Sequence, residues 1–353
     1  MRARNCHSTD KHVPEGGNGM ADTLRVGILG YGFIGTLHAR AVTNCPDTEL
    51  VGAWTLADKT LDSLREAYPR ARVFSTPEEL ATSPDVDAVV IGLPNKLHHP
   101  MALAALKAGK HVLVEKPMAM NVSQGEAMAD LARKEGLTLM VGHMWRFDRE
   151  FLAVRKIVEA GDLGTIVKTK GYGIHQAWGP AGWFVQKELA GGGALVDMGV
   201  HALDSVRFLL GDPAPVSVYA TIGTHFGDYD VDDTGVIVVR WDNGTTSIIE
   251  SGWWHPHMDG PEASTQLFGT KGYARVFPTM ARFNQEGKAP WLPRFPAREE
   301  HCDQHIYDGQ MQEFANAVRE RRETIPGADH GLIVMRICEA AYRSAETNEV
   351  VRL

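Results

Sequence analysis

The first half of the chain alternates short apolar runs with amphipathic stretches, and this alternation restricts the folds that it can adopt. The apolar runs cover residues 24–29, 50–54, 88–93, 112–115 and 137–142. Strands of a parallel sheet are buried on both faces and joined by helices, so they read as continuous apolar runs between helical segments. The pattern therefore predicts an α/β fold with a doubly wound parallel sheet over residues 24–145.

A glycine-rich turn follows the first apolar run and leads into a helical stretch. In such a turn the first glycine permits a tight bend, the second lets a pyrophosphate approach the backbone, and the third lets the helix pack on the strand. The position between strand and helix predicts a Rossmann domain that binds NAD or NADP. The residues that form this predicted cofactor site are Gly30, Gly32, Phe33, Ile34 and Gly35.

The end of the second apolar run bears on the choice between NAD and NADP. An acidic residue at this place would bind the ribose 2′-hydroxyl of NAD, but the run ends at Thr55, and Asp58 comes later. Thr55 is able to hydrogen-bond either cofactor, and Lys59 is a candidate partner for a 2′-phosphate. The sequence leaves both cofactors open.

The second half of the chain has a different period. Strand-like segments cover residues 165–172, 216–222, 234–241, 245–251, 264–268 and 273–277. Turn sequences such as Asp242-Asn243-Gly244 separate neighbouring segments, which is typical of antiparallel hairpins. We therefore expect residues 146–353 to form a second, α+β domain with a mostly antiparallel sheet and two terminal helices.

The composition excludes several classes of partner. Of the 353 residues, 44% are apolar, and the formal net charge of −8 offers no basic field to nucleic acid. The chain contains no apolar run of about 18 residues that would span a membrane. Four scattered cysteines without CxxC spacing argue against a disulfide framework, so we expect a cytoplasmic protein.

The amino-terminal segment has no strand or helix pattern. Residues 1–23 are polar and glycine-rich, and we expect a disordered tail rather than a secretory signal. Met20 stands just before the first strand, so we expect it to be the natural start.

A lysine stands at the predicted carboxyl end of the fourth apolar run, in the tripeptide Glu115-Lys116-Pro117. Ligands of doubly wound sheets bind beyond these strand ends, where the Pro94-Asn95 turn also falls. The amine is therefore expected in the cleft, and a cis bond before Pro117 is able to turn it inward. A solvated loop charge is the alternative.

A second glycine-rich segment lies between the first two strands of the second half. Gly191-Gly192-Gly193 precedes Asp197 and His201, which share one face of a helix at the spacing i, i+4. The carboxylate is then able to fix the tautomer of the imidazole or to share a substrate hydroxyl with it, and the imidazole is able to act as a base near neutral pH. A structural pair of buried side chains is the alternative.

In combination, these motifs resemble the Gfo/Idh/MocA family of oxidoreductases. The resemblance rests on the first glycine turn, Pro94-Asn95 with His98, the Glu-Lys-Pro tripeptide and the segment from Asp197 to His201, and it covers the chain from about Leu24 to its end. It implies a Rossmann domain followed by a domain with an open-faced sheet. In the family this sheet faces the cofactor cleft and often serves oligomerisation, so we expect a homodimer or homotetramer.

The resemblance also implies roles for single residues. Lys116, Asp197 and His201 occupy the family's catalytic positions. The implied cofactor contacts beyond the glycine turn are Thr55, Pro94, Asn95, His98, Glu115 and Lys116. Thr55 departs from the family pattern, because many NAD-dependent relatives carry Asp at this place.

Three functions are compatible with these residues. The first is an NAD(P)-dependent oxidoreductase that transfers hydride between the cofactor and a secondary hydroxyl or ketone of a sugar, sugar derivative or cyclic polyol. The second keeps the site but cleaves glycosides without net redox change, with NAD regenerated in each cycle. The third is a non-enzymatic regulator that binds a dinucleotide, against which the intact Lys116, Asp197 and His201 weigh.

Aromatic and arginine side chains are candidates for substrate contacts, because aromatic faces stack on sugar rings and arginine binds hydroxyls. With Asp197 and His201, the candidates are Trp145, Arg146, Trp178 and Trp183. Packing in the core is the alternative for each aromatic residue.

Two histidine-containing segments raise the question of a metal. They are His255-Pro256-His257 with Asp259, and His301-Cys302-Asp303-Gln304-His305. Neither supplies a third and a fourth ligand at a fixed spacing, so we predict no metal site. His305 is alternatively a residue of the substrate pocket.

Overall fold

The first sheet follows the predicted alternation of strands and helices. The computed structural model describes residues 23–56, 58–257, 262–296 and 303–353. The expected tail before residue 23, Met20, Asp259, His301 and Cys302 lie outside the described residues, as do the side chains of Asp58 and Lys59. The elements of the first sheet are β1 (Leu24–Leu29), α1 (Phe33–Asn44), β2 (Thr48–Trp54), α2 (Asp58–Ala67), β3 (Arg72–Val73), α3 (Pro77–Thr82), β4 (Ala88–Ile91), α4 (Asn95–Lys107), β5 (His111–Val114), α5 (Val122–Glu135) and β6 (Leu139–Val141).

All six strands of this sheet are parallel, in the order β3-β2-β1-β4-β5-β6. The strand order reverses between β1 and β4, which is where doubly wound sheets open a crevice for ligands. Each predicted strand is present, and the prediction of a parallel Rossmann sheet is confirmed. The sequence did not indicate β3 and α3, because both are shorter than the apolar patterns that reveal such elements.

The second sheet has eight strands in the order β13-β12-β11-β7-β10-β9-β8-β14. Only the β7 and β10 pair of this order is parallel, so the prediction of a mostly antiparallel sheet is confirmed. The elements of this part are α6 (Arg149–Glu159), β7 (Ile166–Gln176), α7 (Lys187–Ala190), α8 (Val200–Leu209), β8 (Pro215–Gly223), β9 (Thr234–Trp241), β10 (Thr246–His255), β11 (Thr265–Gly269), β12 (Gly272–Val276), β13 (Met280–Phe283), α9 (Gln304–Glu320), α10 (Ala328–Thr347) and β14 (Val351–Arg352).

Helices cover one face of the second sheet. Side chains of the inner face, such as Val218, Ile237 and Ile249, are buried against Leu203 on α8 and Ile337 on α10. The residues between them in sequence point to the opposite face, because side chains alternate along a strand. That opposite face keeps Tyr219 and Val236 exposed.

The last two helices join the two sheets. Helix α9 lies against α1, where Gln304 donates a hydrogen bond to the carbonyl of Leu37 over 3.0 Å. Helix α10 lies against α5, and its Leu332 and Met335 belong to the same apolar cluster as Met128. The carboxyl terminus therefore fixes the first sheet relative to the second. No helix among the described residues has the length and apolar character that a membrane span requires.

Candidate active site

The first glycine turn is shaped by contacts that exclude larger side chains. Gly30 has a φ of +98°, and a Cβ atom there would lie 2.3 Å from the carbonyl oxygen of Gly92. A Cβ on Gly35 would lie 1.9 Å from the carbonyl oxygen of Gly30, so α1 approaches β1 closely. Gly32 is different, because a Cβ atom at this position would meet nothing within 4 Å. The turn therefore faces open space at Gly32.

The amino terminus of α1 opens on this space. Gly32 is the N-cap residue and makes no side-chain hydrogen bond to the N–H groups of the first turn. Uncapped N–H groups together with the helix dipole attract a phosphate. Phe33 is exposed at the helix start, and Ile34 lines the cleft that follows. At the end of β2, Thr55 accepts a hydrogen bond from the hydroxyl of Thr60.

Lys116 reaches from the first sheet to the second part of the chain. The Lys116-Pro117 peptide bond is cis. The amine donates to the carbonyl oxygen of Asp197 over 2.7 Å and to its carboxylate Oδ1 over 3.0 Å. Both side chains are largely buried, so this is a charge-assisted contact in a weakly screened environment. Lys116 is therefore held in the cleft, and it is not a solvated loop charge.

Asp197 lies in a π-helical turn, Leu195–Gly199, which runs directly into α8. Its second carboxylate oxygen accepts a hydrogen bond from the indole N–H of Trp253 over 3.1 Å. The carboxylate thus contacts Lys116 and Trp253, whereas the sequence predicted a contact with the imidazole of His201. His201 follows in the first turn of α8 and is buried. Single π-helical turns of this kind are frequent at functional sites.

Asp232 explains the glycines that precede this turn. Its carboxylate accepts hydrogen bonds from the N–H groups of Gly193 and Leu195, both over 2.8 Å. A Cβ on Gly193 would lie 1.8 Å from the carbonyl oxygen of Asp232, so a larger residue would push the two segments apart. The hydroxyl of Tyr342 donates to the same carboxylate over 2.7 Å. The sequence analysis missed Asp232 and Tyr342, since each is far along the chain from the segment that it holds.

The Pro94-Asn95 turn connects the first sheet with the second half of the chain through a hydrogen bond. Pro94 is the N-cap residue of α4, and the amide of Asn95 donates to the carbonyl of Ala190 over 2.8 Å. The ring nitrogens of His98 lie 2.8 Å from the carbonyl oxygens of Leu93 and Pro117. Burial lowers the pKa of His98, while these carbonyl contacts oppose the shift. His98 therefore ties the Lys116-Pro117 segment to the end of β4.

These residues surround one cleft between the two sheets. Its lining includes Ile34, Asn95, His98, Glu115, Lys116, Trp183, Phe184 and Asp197. The rings of Trp183 and Phe184 stack with their centroids 3.9 Å apart and form one wall. The structure thus brings together Ile34 of the glycine turn, the lysine and the carboxylate, which the sequence selected from three separate segments.

A buried pair that the sequence analysis did not select lies behind Lys116. Nε2 of His38 on α1 is 2.7 Å from Oε1 of Glu115, and His38 is fully buried. The two residues are 77 positions apart. The only signal in the sequence was that His38 lies one helical turn after Gly35, on the side of α1 that packs on the sheet.

Two of the substrate candidates lie elsewhere. Trp145 is buried in the apolar core, with its ring 5.5 Å from that of Phe277. Arg146 binds carboxylates of its own chain, with Asp204 and Asp212 both 2.7 Å from its guanidinium. The substrate role expected of these two residues therefore lacks support, because both side chains are buried and make their contacts within the protein interior. Trp178 is half exposed and stacks on His175 with centroids 3.6 Å apart.

The Arg146 network is an internal ion cluster. Burial opposes the ionisation of Asp204, but the charge and hydrogen bonds of Arg146 outweigh it and lower the pKa of this carboxyl. Because Asp204 lies on α8, the cluster holds the helix that carries His201 against the turn Met144–Phe147. Within the described residues, no group of three or more His, Cys, Asp or Glu side chains is arranged to hold a metal ion.

Comparisons with known proteins agree with this architecture. Residues 24–143 match the model of an oxidoreductase family with an NAD-binding Rossmann fold, and residues 151–275 match the GFO/IDH/MocA C-terminal domain. The D-glucoside 3-dehydrogenase of Escherichia coli (strain K12) is 32% identical, with 94% of this chain and 97% of that protein covered. The chain belongs to the Gfo/Idh/MocA family of oxidoreductases.

Two solved structures extend the comparison. The aldose-aldose oxidoreductase of Caulobacter crescentus, complexed with glycerol, has a TM-score of 0.82 and 28% identity, and the match covers 94% of this chain and 100% of that one. GenD2 from gentamicin A biosynthesis, in complex with NAD, has a TM-score of 0.81 and 27% identity, with 97% and 99% covered. The resemblance seen in the sequence motifs therefore extends over the whole fold.

Arg146→Ala should lower the free energy of unfolding by about 3–5 kcal/mol, because it leaves the buried carboxylate of Asp204 without its arginine partner. Urea unfolding of the variant and of the wild type measures this loss. Arg65→Ala is the matched control, since Arg65 pairs with Asp62 at the exposed surface and its loss should cost less than about 1 kcal/mol. Wild-type stability with impaired turnover would instead restore Arg146 as a substrate contact.

Proposed function

We propose that the protein transfers hydride between a nicotinamide cofactor and a secondary hydroxyl or ketone of a sugar, sugar derivative or cyclic polyol. Residues 24–145 hold the cofactor in this proposal, and residues 146–353 hold the substrate. The observation that carries it is the Lys116 amine, fixed by Asp197 in a cleft that Ile34 of the first glycine turn also lines. D-Glucoside 3-dehydrogenase as a relative supports a sugar as substrate.

The residues of the first sheet suit a dinucleotide. The open space beside Gly32 and the uncapped first turn of α1 accommodate a pyrophosphate. Ile34 offers an apolar contact in the cleft. When bound, the nicotinamide ring supplies the acceptor or donor of the hydride. Thr55 suits either NAD or NADP, since a hydroxyl binds a ribose as well as a phosphate oxygen.

His201 and Lys116 divide the proton and charge chemistry in this proposal. His201 takes the hydroxyl proton of the substrate, because imidazole is the side chain that exchanges protons most readily near neutral pH. The Lys116 amine donates a hydrogen bond to the same oxygen and stabilises the negative charge that develops there. Asp197, itself held by Trp253, orients the amine. Trp183 and Trp178 offer aromatic faces to the ring of the substrate.

The experiment that tests the proposal is a cofactor and substrate panel. Purified protein is incubated with NAD or NADP and with inositols, aldoses, glycosides and anhydrosugars, while the absorbance of reduced nicotinamide is followed. A signal with one cofactor supports the proposal and identifies the preferred cofactor. Glycoside cleavage without a signal, with NAD copurifying, would point to the redox-neutral reaction. An absence of both turnover and cofactor affinity would overturn the proposal.

Lys116→Ala should lower turnover by at least about 10²-fold, since a preorganised donor at the developing charge contributes about that factor. Cofactor affinity should stay near that of the wild type and is measured by fluorescence titration with the reduced cofactor. Lys187→Ala is the control, because this lysine lies on the short helix α7 and outside the lining of the cleft. Undiminished turnover would remove Lys116 from the mechanism.

We also propose that a second copy of the chain covers the open face of the second sheet, which gives a homodimer or homotetramer in the cytoplasm. Tyr219, Val238 and Ile248 lie opposite one another on β8, β9 and β10. They form an apolar row on the face opposite to α8 and α10, which no helix of the described residues covers, beside the exposed Val236. Apolar patches of this kind are typical of subunit contacts.

Val238→Glu should dissociate the oligomer, because it would place two symmetry-related charges in an apolar contact. Size-exclusion chromatography with light scattering measures the mass of the particle in solution. Val167→Glu is the control, since Val167 is exposed outside this row. A wild-type protein that runs as a monomer would contradict the proposed assembly.

A further inference from the structure

The buried pair of His38 and Glu115 connects the glycine-turn helix with the segment that carries the lysine. His38 lies on α1, and Glu115 is the residue between β5 and Lys116. Nε2 of His38 lies 2.7 Å from Oε1 of Glu115, and neither side chain is exposed to a substantial degree. A hydrogen bond in such surroundings is weakly screened, so it fixes the carboxylate firmly.

The other oxygen of Glu115 acts on Lys116 directly. The backbone N–H of Lys116 donates to Oε2 of Glu115 over 3.2 Å. The carboxylate fills the space beside Gly142, where a Cβ atom would lie 2.9 Å from it. Glu115 is thus pinned on three sides, by His38, by the Lys116 backbone and by the end of β6. This carboxylate therefore fixes the position of the Lys116 backbone, and the lysine side chain extends from there to Asp197.

Four titratable groups face Glu115. They are His38 on α1, His98 on α4, His143 after β6 and the adjacent Lys116. Burial opposes the ionisation of Glu115, but the hydrogen bond and charge of His38, with a smaller contribution of Lys116, outweigh it and lower the pKa of the carboxyl. Burial by itself raises the pKa of Glu115, and His38 opposes this effect. Removal of His38 should therefore raise the pKa of Glu115.

We propose that His38 is a positioning residue for Lys116 and acts through the carboxylate of Glu115. Its part in turnover rests on the proposed hydride transfer, but its effect on the placement of the lysine does not. The competing explanation is packing alone, because the ring of Tyr307 meets that of His38 edge-on with centroids 5.2 Å apart. The test must therefore separate the hydrogen bond from the volume of the side chain.

Three variants make this separation. His38→Leu keeps an apolar side chain of similar size but removes the donor. His38→Gln keeps an amide nitrogen close to the position of Nε2 and should restore the wild-type behaviour. Tyr307→Phe is the control, because it keeps the ring on His38 and removes only the hydroxyl that contacts Met144.

The first readout needs no substrate. Acetic anhydride is applied in trace amounts at fixed pH, and mass spectrometry gives the labelling rate of Lys116 relative to the exposed Lys134. In His38→Leu the rate at Lys116 should rise by about threefold to tenfold, since loss of one hydrogen bond shifts a local equilibrium by about that factor. Wild type, His38→Gln and Tyr307→Phe should agree. An unchanged rate in a folded His38→Leu would overturn the proposal.

The second readout is the pH profile of kcat/KM on the substrate that the panel identifies. In His38→Leu the acidic fall of kcat/KM should shift to higher pH, because Glu115 then takes up a proton more readily. Replacement of Glu115 by Gln should abolish this shift and speed the labelling of Lys116. If His38→Leu fails to fold, Glu115→Gln alone decides, and labelling equal to that of the wild type would refute the proposal. A labelling effect without any turnover would refute only the proposed function.

Discussion

The site depends on one interaction, the contact of the Lys116 amine with Asp197 across the cleft. The lysine lies just beyond the carboxyl end of β5, and the carboxylate lies in the π-helical turn before α8. Burial of a charged amine costs free energy unless a partner of opposite charge compensates it. Further hydrogen bonds hold the segments that carry these two groups.

The segments on either side of the contact are held by hydrogen bonds between side chains and backbone groups. On the first sheet, His98 binds two carbonyl oxygens, and Glu115 binds the N–H of Lys116. On the other side, Asp232 accepts from two N–H groups at the start of the π-helical turn. The orientation of Lys116 and Asp197 therefore comes from the backbones that carry them, and the proposed reaction requires such a preorganised site.

Local patterns were sufficient to predict the fold, since strand, turn and helix follow one another within about ten residues. Ile34 of the glycine turn, Lys116 and Asp197 belong to such patterns, and the structure places all three on the lining of one cleft. The partners of these residues were not predictable, because Asp232 and His38 reach their contacts across 37 or more positions of the chain. The contacts of Arg146 were not predictable either, because no sequence pattern distinguishes an arginine that binds substrate from one that binds Asp204.

The contacts of Asp197 follow from the local shape of the helix. At the spacing i, i+4, a regular helix would place this carboxylate next to His201, and the sequence analysis paired them. The π-helical turn widens the helix locally, and both carboxylate oxygens face other groups, Lys116 and Trp253. The arrangement places this carboxylate between the lysine of the first sheet and an indole of the second sheet, so Asp197 connects the two parts of the chain through hydrogen bonds.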